Sequence, residues 1–250
     1  MQQELRTLAS RLRAARTVTV MTGAGVSAAS GVPTFRGPEG LWRSFRPEDL
    51  ATPSAFARDP ALVWEWYAWR RDRVASCRPN AAHDVLARWS RNDSTHVRVV
   101  TQNVDDLHLR AGTRELIRLH GSLWETKCFD GCAAGARAWR DEAVSLANGL
   151  PRCPHCGGLA RPAVVWFGES LDASDVARAS EAASCDVFLT VGTSAIVYPA
   201  AGFARIAQDR GAFIAEINLE QTPASALADV SILGAAEEVL PALDQLLASI

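Results

Sequence analysis

The 250-residue sequence predicts an α/β protein: a mostly parallel sheet with helices on both faces, plus a smaller lobe built from two insertions. Three observations carry this expectation. Short apolar runs alternate with stretches of helical periodicity. A glycine-rich segment follows the first run directly. Four cysteines fall in two close pairs, inside a stretch where the alternation breaks.

Taken in order, Met1 to Arg16 is rich in arginine with Glu4 its only acid, a composition shared with transit peptides. Leu5, Leu8 and Leu12 nevertheless recur at helical spacing and lead into the apolar residues 18–21. The segment therefore reads as a first helix packed on a first strand. Buried strands are expected at 18–21, 97–101, 164–167, 187–191, 213–217 and 230–233. Helices are expected at 80–90, 173–183, 200–210 and 237–249. Two regions interrupt the pattern: 39–77, dense in Trp and Arg, and 123–161, with its cysteines. These form the smaller lobe, a helical insertion and a cysteine module, leaving 1–38, 78–122 and 162–250 to the larger unit.

Composition narrows the function. Residues of apolar type make up 48% of the chain, enough for a packed core. A net charge of −2 and a pI near 6.2 offer no electrostatic basis for binding nucleic acid. No stretch approaches the ~18 consecutive apolar residues of a membrane span. With no secretory or membrane segment, the cytoplasm is the expected compartment and the six cysteines are not expected to form disulfides. A monomer is the expectation. Lys127 is the only lysine.

Gly23-Ala24-Gly25-Val26-Ser27-Ala28 is a G-x-G-x-x-A pattern following the first strand. Small residues let the backbone approach a pyrophosphate, and free N–H groups at a helix start favour the anion, as in Rossmann-like folds. A simple dehydrogenase would show an acid about 20 residues on, ending a second strand and holding the ribose. That region is instead the strandless Gly31-Val32-Pro33-Thr34-Phe35-Arg36-Gly37. The loop reads as a dinucleotide site of another kind.

Cys128-x-x-x-Cys132 and Cys153-Pro154-His155-Cys156 match a four-thiolate zinc site. Four thiolates fill a tetrahedral sphere, so one structural Zn2+ is expected and metal-assisted hydrolysis is disfavoured. Gly131, Gly157 and Gly158 suit the turns of such knuckles. His155 reads as a bystander, and Cys77 and Cys185 lie outside the pattern.

Together, Gly23-Ala24-Gly25-Val26-Ser27, Gly31 to Arg36, Thr101-Gln102-Asn103-Val104-Asp105, His120-Gly121, Val164-Val165-Trp166-Phe167-Gly168-Glu169, Gly192-Thr193-Ser194 and Ile217-Asn218-Leu219 resemble the sirtuin family, in that family's order. The departures are the first cysteine spacing and Val104 where Ile is frequent. The resemblance implies an NAD-dependent protein-lysine deacylase, yielding nicotinamide and an O-acyl-ADP-ribose. The acyl oxygen would attack the ribose carbon bearing nicotinamide, with His120 as general base on a ribose hydroxyl and Asn103 beside it. Gly23, Ala24, Gly25, Ser27, Ala28, Thr34, Phe35, Arg36 and Trp42 would belong to the cofactor pocket, with Phe35 shielding the ribose and Arg36 near the phosphates. Gln102, Asn103, Val104 and Asp105 would line the nicotinamide end, and Gly192, Thr193 and Ser194 would meet the phosphates. Asn218, Leu219, Glu220, Ala235 and Ala236 would hold the adenosine. An acylated-lysine protein substrate would add a strand between Val165, Trp166, Phe167, Gly168 and Glu169 on one side and Val197 and Tyr198 on the other.

Tyr67 and Arg70 stand at i and i+3, so on a helix they share a face. This resembles the Tyr-x-x-Arg pair of sirtuins that remove succinyl, malonyl or glutaryl groups, and a guanidinium beside a phenol suits a carboxylate. Succinyl or malonyl removal is expected besides acetyl. The rival readings are an NAD-dependent mono-ADP-ribosyltransferase, a non-catalytic zinc-ribbon binding module and a conventional dehydrogenase.

Overall fold

The computed structural model describes residues 2–34 and 46–248. Helix α1 (Gln2–Ala14) turns Leu5, Leu8 and Leu12 inward and feeds β1 (Thr17–Thr22). A four-residue helix, α2 (Gly25–Ala28), follows at once. The first insertion gives α3 (Pro47–Leu50), α4 (Pro53–Arg58) and α5 (Pro60–Ser76). The start of α5 is set chemically: the Asp59 side chain accepts from the Leu62 amide at 2.9 Å, and Pro60 fits the first turn, where no N–H is needed.

The chain then returns through α6 (Ala81–Trp89), β2 (His96–Thr101), α7 (Leu107–Ala111) and β3 (Leu116–Arg118). The second insertion holds β4 (Gly121–Cys128), β5 (Trp139–Arg140) and β6 (Ala160–Val164). Helix α8 (Ala173–Ala182), β7 (Val187–Val191), α9 (Phe203–Asp209), β8 (Phe213–Asn218), β9 (Val230–Leu233) and α10 (Ala236–Ala248) complete it.

Six strands form one sheet in the order β3-β2-β1-β7-β8-β9, every neighbouring pair parallel. Val20 lies opposite Val99 on one side and Leu189 on the other. Successive residues of β1 serve opposite faces: Val20 joins a core with Leu8, Leu86 and Leu240, and Met21 joins one with Phe188, Ala179 and Phe203. Helices on both faces leave no wet side, which is why these strands read as unbroken apolar runs.

The smaller lobe has its own core, in which Phe56, Trp64 and Tyr67 meet Leu123, Trp124 and Trp166. Strand β4 pairs antiparallel with β5 and β6. Here one expectation fails. Residues 164–167 are not a strand of the main sheet; the strand is β6, upstream, in the second sheet. Beyond it the Val165 amide donates to the His120 carbonyl and the Phe167 amide to that of Ala51, so the run is held by separate bonds rather than a ladder. Apolarity alone cannot assign a run to one sheet or another.

The lobe also buries a guanidinium. Arg71 donates to the carbonyls of Leu123 at 2.7 Å and Ala143 at 3.0 Å, to Thr126 Oγ1 at 3.1 Å and to the Asp141 carboxylate at 3.0 Å. The sole lysine, Lys127, is half-buried on β4. No helix among the described residues is long and apolar enough to cross a membrane.

Candidate active site

Because β1 lies between β2 and β7, the strand order reverses there, and the loops leaving the carboxyl ends of these strands converge at that switch point. The glycine loop after β1 meets the Gly192-Thr193 loop after β7. Gly25 N–H donates to the Gly192 carbonyl at 2.8 Å, and Gly23 N–H to that of Val191 at 3.1 Å. A Cβ on Gly23 would sit 2.7 Å from Thr193 Cβ, and one on Gly25 would sit 2.8 Å from both Gly192 Cα and Gly192 O. The glycines are therefore demanded first by the facing loop. The amides of Gly23, Gly25, Val26 and Ser27 all donate within the protein, so what these four positions offer a pyrophosphate is room rather than spare donors.

The loop after β2 threads this junction with polar side chains. Gln102 Nε2 donates to Thr193 Oγ1 at 2.9 Å. Asn103 Nδ2 donates to the Gly23 carbonyl at 3.0 Å and to Ser27 Oγ at 3.1 Å, and Ser27 Oγ donates to Asp105 Oδ2 at 2.8 Å. Burial pushes the Asp105 carboxyl above the usual carboxylate value, while the Leu107 amide and the Ser27 hydroxyl pull it back. Asn218 Nδ2 donates to the Thr193 carbonyl at 2.9 Å, and the Gly234 amide donates to the Asn218 carbonyl, bringing Ala235 and the start of α10 beside the same crevice. Leu219 and Glu220 are exposed at its rim.

His120, half-buried just before β4, lies with Nδ1 3.0 Å from the Gln102 carbonyl oxygen. A carbonyl only accepts, so in the neutral ring the proton sits on Nδ1 and Nε2 carries the lone pair. Burial pushes the imidazole below its usual pKa, with the Gln102 contact opposing. The ring is thus held neutral, with a basic nitrogen set by the loop that carries Asn103.

The Sγ atoms of Cys128, Cys132, Cys153 and Cys156 all lie within 4.8 Å of one another, with Cys128–Cys156 at 3.6 Å and Cys132–Cys153 at 3.7 Å. A tetrahedron with Zn–S bonds of about 2.3 Å has sulfur edges of roughly 3.8 Å, so the quartet fits one zinc ion. Gly131 and Gly157 have φ of +65° and +73°, as turns at knuckles require. Gly135 matters for space: a Cβ there would lie 2.8 Å from both Cys132 Sγ and Cys153 Sγ. His155 is exposed and outside the quartet.

Residues 23–199 match the model of the Sir2 family. The chain belongs to the Sir2 family. Among its Sir2 relatives, the NAD-dependent protein deacylase 2 of Pyrobaculum aerophilum is 50% identical over 237 residues, 94% of this chain and 93% of that protein. The NAD-dependent protein deacylase 1 of Pseudomonas aeruginosa is 46% identical over 245 residues, 96% and 97% of the two chains. A crystal structure of a Sir2 homologue–NAD complex superposes with a TM-score of 0.89 at 44% identity, covering 97% of this chain and 93% of that one. A Sir2 protein bound to a myristoylated histone peptide gives 0.78 at 35% identity, covering 99% and 97%.

In this Sir2 chain, Tyr67 and Arg70 lie on the buried face of α5. Tyr67 Oη accepts from Trp166 Nε1 at 2.9 Å, and the Arg70 guanidinium carbon lies 4.8 Å from the Trp66 ring centroid and 5.5 Å from that of Tyr67. Burial pushes Arg70 down from the usual arginine value, opposed by Tyr67 and by the charge of Asp105. Beside them, Phe167, Gly168 and Tyr198 are exposed, with Val165 and Val197 half-buried. The Glu169 carboxylate is committed internally, accepting from Arg161 and from the Trp166 amide. Phe35, Arg36 and Trp42 lie outside the described residues.

Sequence reading leaves His83 and His108 as structural or surface residues. Both are buried, with ring centroids 4.8 Å apart; His83 Nε2 is 3.4 Å from Ser27 Oγ and His108 Nε2 is 2.9 Å from Thr22 Oγ1. They contact the end of β1 and the glycine loop that follows it. Asp106 and Arg140 escape sequence reading altogether, since neither stands in a motif with an evident ligand.

Proposed function

We propose that the protein is an NAD-dependent protein-lysine deacylase acting on acyl-lysine segments of other proteins, with a preference for acyl groups ending in a carboxylate. One observation carries the reading: a neutral imidazole with its basic nitrogen free of the Gln102 contact is anchored by Nδ1 to the same loop whose next residue, Asn103, opens the Asn103–Ser27–Asp105 chain at the switch point. NAD, when bound, supplies an electrophilic ribose carbon and nicotinamide as leaving group. The Gly23-to-Ala28 loop with Thr34, and the Gly192-to-Ser194 loop, would receive its phosphates, and Asn218, Leu219, Glu220, Ala235 and Ala236 its adenosine. Gln102, Asn103, Val104 and Asp105 would enclose the nicotinamide end.

Within that frame His120 Nε2 takes a proton from a ribose hydroxyl, and the Gln102 carbonyl stabilises the resulting imidazolium through Nδ1–H. The relatives' names and the complex of a Sir2 protein with a myristoylated histone peptide support acyl-lysine as the substrate class. Residues 165–168 and Val197–Tyr198 would flank the peptide as an added strand. The buried guanidinium of Arg70 beside the Tyr67 phenol supports an acidic acyl chain. The cysteine quartet would hold zinc with no open position, so the metal shapes the lobe and takes no part in bond breaking.

The test is purified protein with adenylate-labelled NAD and acetyl-, succinyl- and malonyl-lysine peptides, read by mass spectrometry. NAD-dependent loss of the acyl group with label in a small O-acyl product is expected. Label retained on protein would instead indicate ADP-ribosyl transfer, and no NAD-dependent loss would overturn the reading.

A further inference from the structure

Asp106 is an L residue in the left-handed region, φ +62°, directly after the Gln102–Asp105 segment. That conformation is strained for any residue but glycine. Its carboxylate is almost wholly buried, with a side-chain exposure of 1%. It accepts from Arg140 Nη1 at 2.7 Å, from Ser122 Oγ at 3.0 Å and from Arg118 Nη1 at 3.3 Å. Arg118 is itself held by Glu125 at 2.7 Å.

These partners are not neighbours in sequence. Ser122 and Glu125 lie on β4, and Arg140 closes β5, in the stretch between the two cysteine pairs. The same strands grip the catalytic loop twice more: the Leu123 amide donates to the Val104 carbonyl at 2.8 Å, and Trp124 Nε1 donates to the Asp105 carbonyl at 3.2 Å. The next residue, Asp141, turns the other way to the buried Arg71 of α5. Residues 140 and 141 thus join the cysteine module, the helical insertion and the nicotinamide-side loop.

We propose that Asp106 and Arg140 are positioning residues for deacylation: their ion pair lets the cysteine-bearing insert set the geometry of Asn103 and Asp105. The inference rests on the functional reading above for its kinetic form, and on structure alone for its second readout. A glycine at 106 accepts φ near +62° without strain, so Asp106→Gly removes the carboxylate while easing the backbone. A purely structural role predicts that this variant keeps its turnover.

The positioning role predicts that Asp106→Gly and Arg140→Gln each lower kcat about tenfold, with the peptide KM within roughly twofold of wild type. Asp106→Asn keeps the left-handed backbone but loses the charge and one of the two acceptor oxygens that meet Ser122 and Arg140, so its kcat falls between that of the wild type and that of Asp106→Gly. The double variant Asp106→Gly/Arg140→Gln is no slower than either single one. Independently of activity, amide hydrogen exchange at Leu107 and Leu123 quickens about tenfold in Arg140→Gln while zinc content per chain is unchanged. Wild-type exchange at both amides, or wild-type kcat in a folded Asp106→Gly, overturns the proposal. If the wild-type protein deacylates nothing, the functional reading fails and the exchange result alone decides this one.

Discussion

Replacing Gly25 by alanine tests whether the two loops at the switch point condition each other. The new Cβ would lie 2.8 Å from Gly192 Cα and O, whereas ordinary contact begins at 3.4 Å. One loop must retreat by about 0.6 Å (3.4 minus 2.8), and both contacts are backbone, so no rotamer change relieves it. Overpacking of this kind costs about 1–3 kcal/mol. Stretching the 2.8 Å bond from Gly25 N–H to the Gly192 carbonyl forfeits much of a further ~1 kcal/mol. If about 2 kcal/mol falls on the pocket, NAD binds roughly 30-fold more weakly. The remainder lowers the melting temperature by a few degrees, at about 2–4 °C per kcal/mol. Titration calorimetry with NAD and a thermal melt measure the two parts. Gly149→Ala is the control: its Cβ meets nothing within 4 Å, and only its φ of +84° resists, so stability should fall with NAD affinity unchanged. An NAD affinity of Gly25→Ala within twofold of wild type, with an unaltered melt, would refute the reasoning.

Four more predictions follow from the site. His120→Ala stops turnover with NAD affinity nearly unchanged; in the wild type the base must be neutral, so kcat/KM rises with pH through a pKa depressed below 6.5 and is flat at pH 7.5, and an acid limb above 6.5 would count against the assignment. Burial holds His83 at a pKa of about 4, so the unfolded chain binds its proton first as pH falls; stability is full above 6.5 and drops by roughly 2 kcal/mol at pH 5, and urea melts of His83→Asn should show a shallower acid loss. Arg70→Met depresses desuccinylation on the order of 10²-fold more than deacetylation; equal losses would remove the case for an acidic acyl group. Chelating the zinc loosens the smaller lobe and lowers the melting temperature, and a well-folded, active metal-free protein would show the quartet to be no metal site.

What could be read beforehand depended on whether a residue's job is local. Five strands of the main sheet (β1, β2, β7, β8 and β9) were legible because burial on both faces leaves continuous apolar runs. The cysteine quartet was legible because knuckle ligands are close in sequence. Strand β3 was missed: Leu-Ile-Arg is too short to show a period. The buried face of α5 was obscured because Arg70 and Arg71 stand on it, and arginine reads as surface until its partners are known. At the glycine loop the reading named a ligand as the cause and missed another, since the constraint on Gly25 comes from Gly192, far along the chain. Asp106 gave no signal at all; its meaning lies in Arg140 and Ser122, which only folding brings to it.

The placement of Lys127 has a practical corollary. A catalyst that unmasks lysines yet owns a single side-chain amine, half sunk in a strand, offers reactive thioesters or anhydrides only one lysine to acylate. Of the amide adducts such donors could leave on its side chains, all would fall on that one residue, so a peptide map of the enzyme needs to follow a single lysine position.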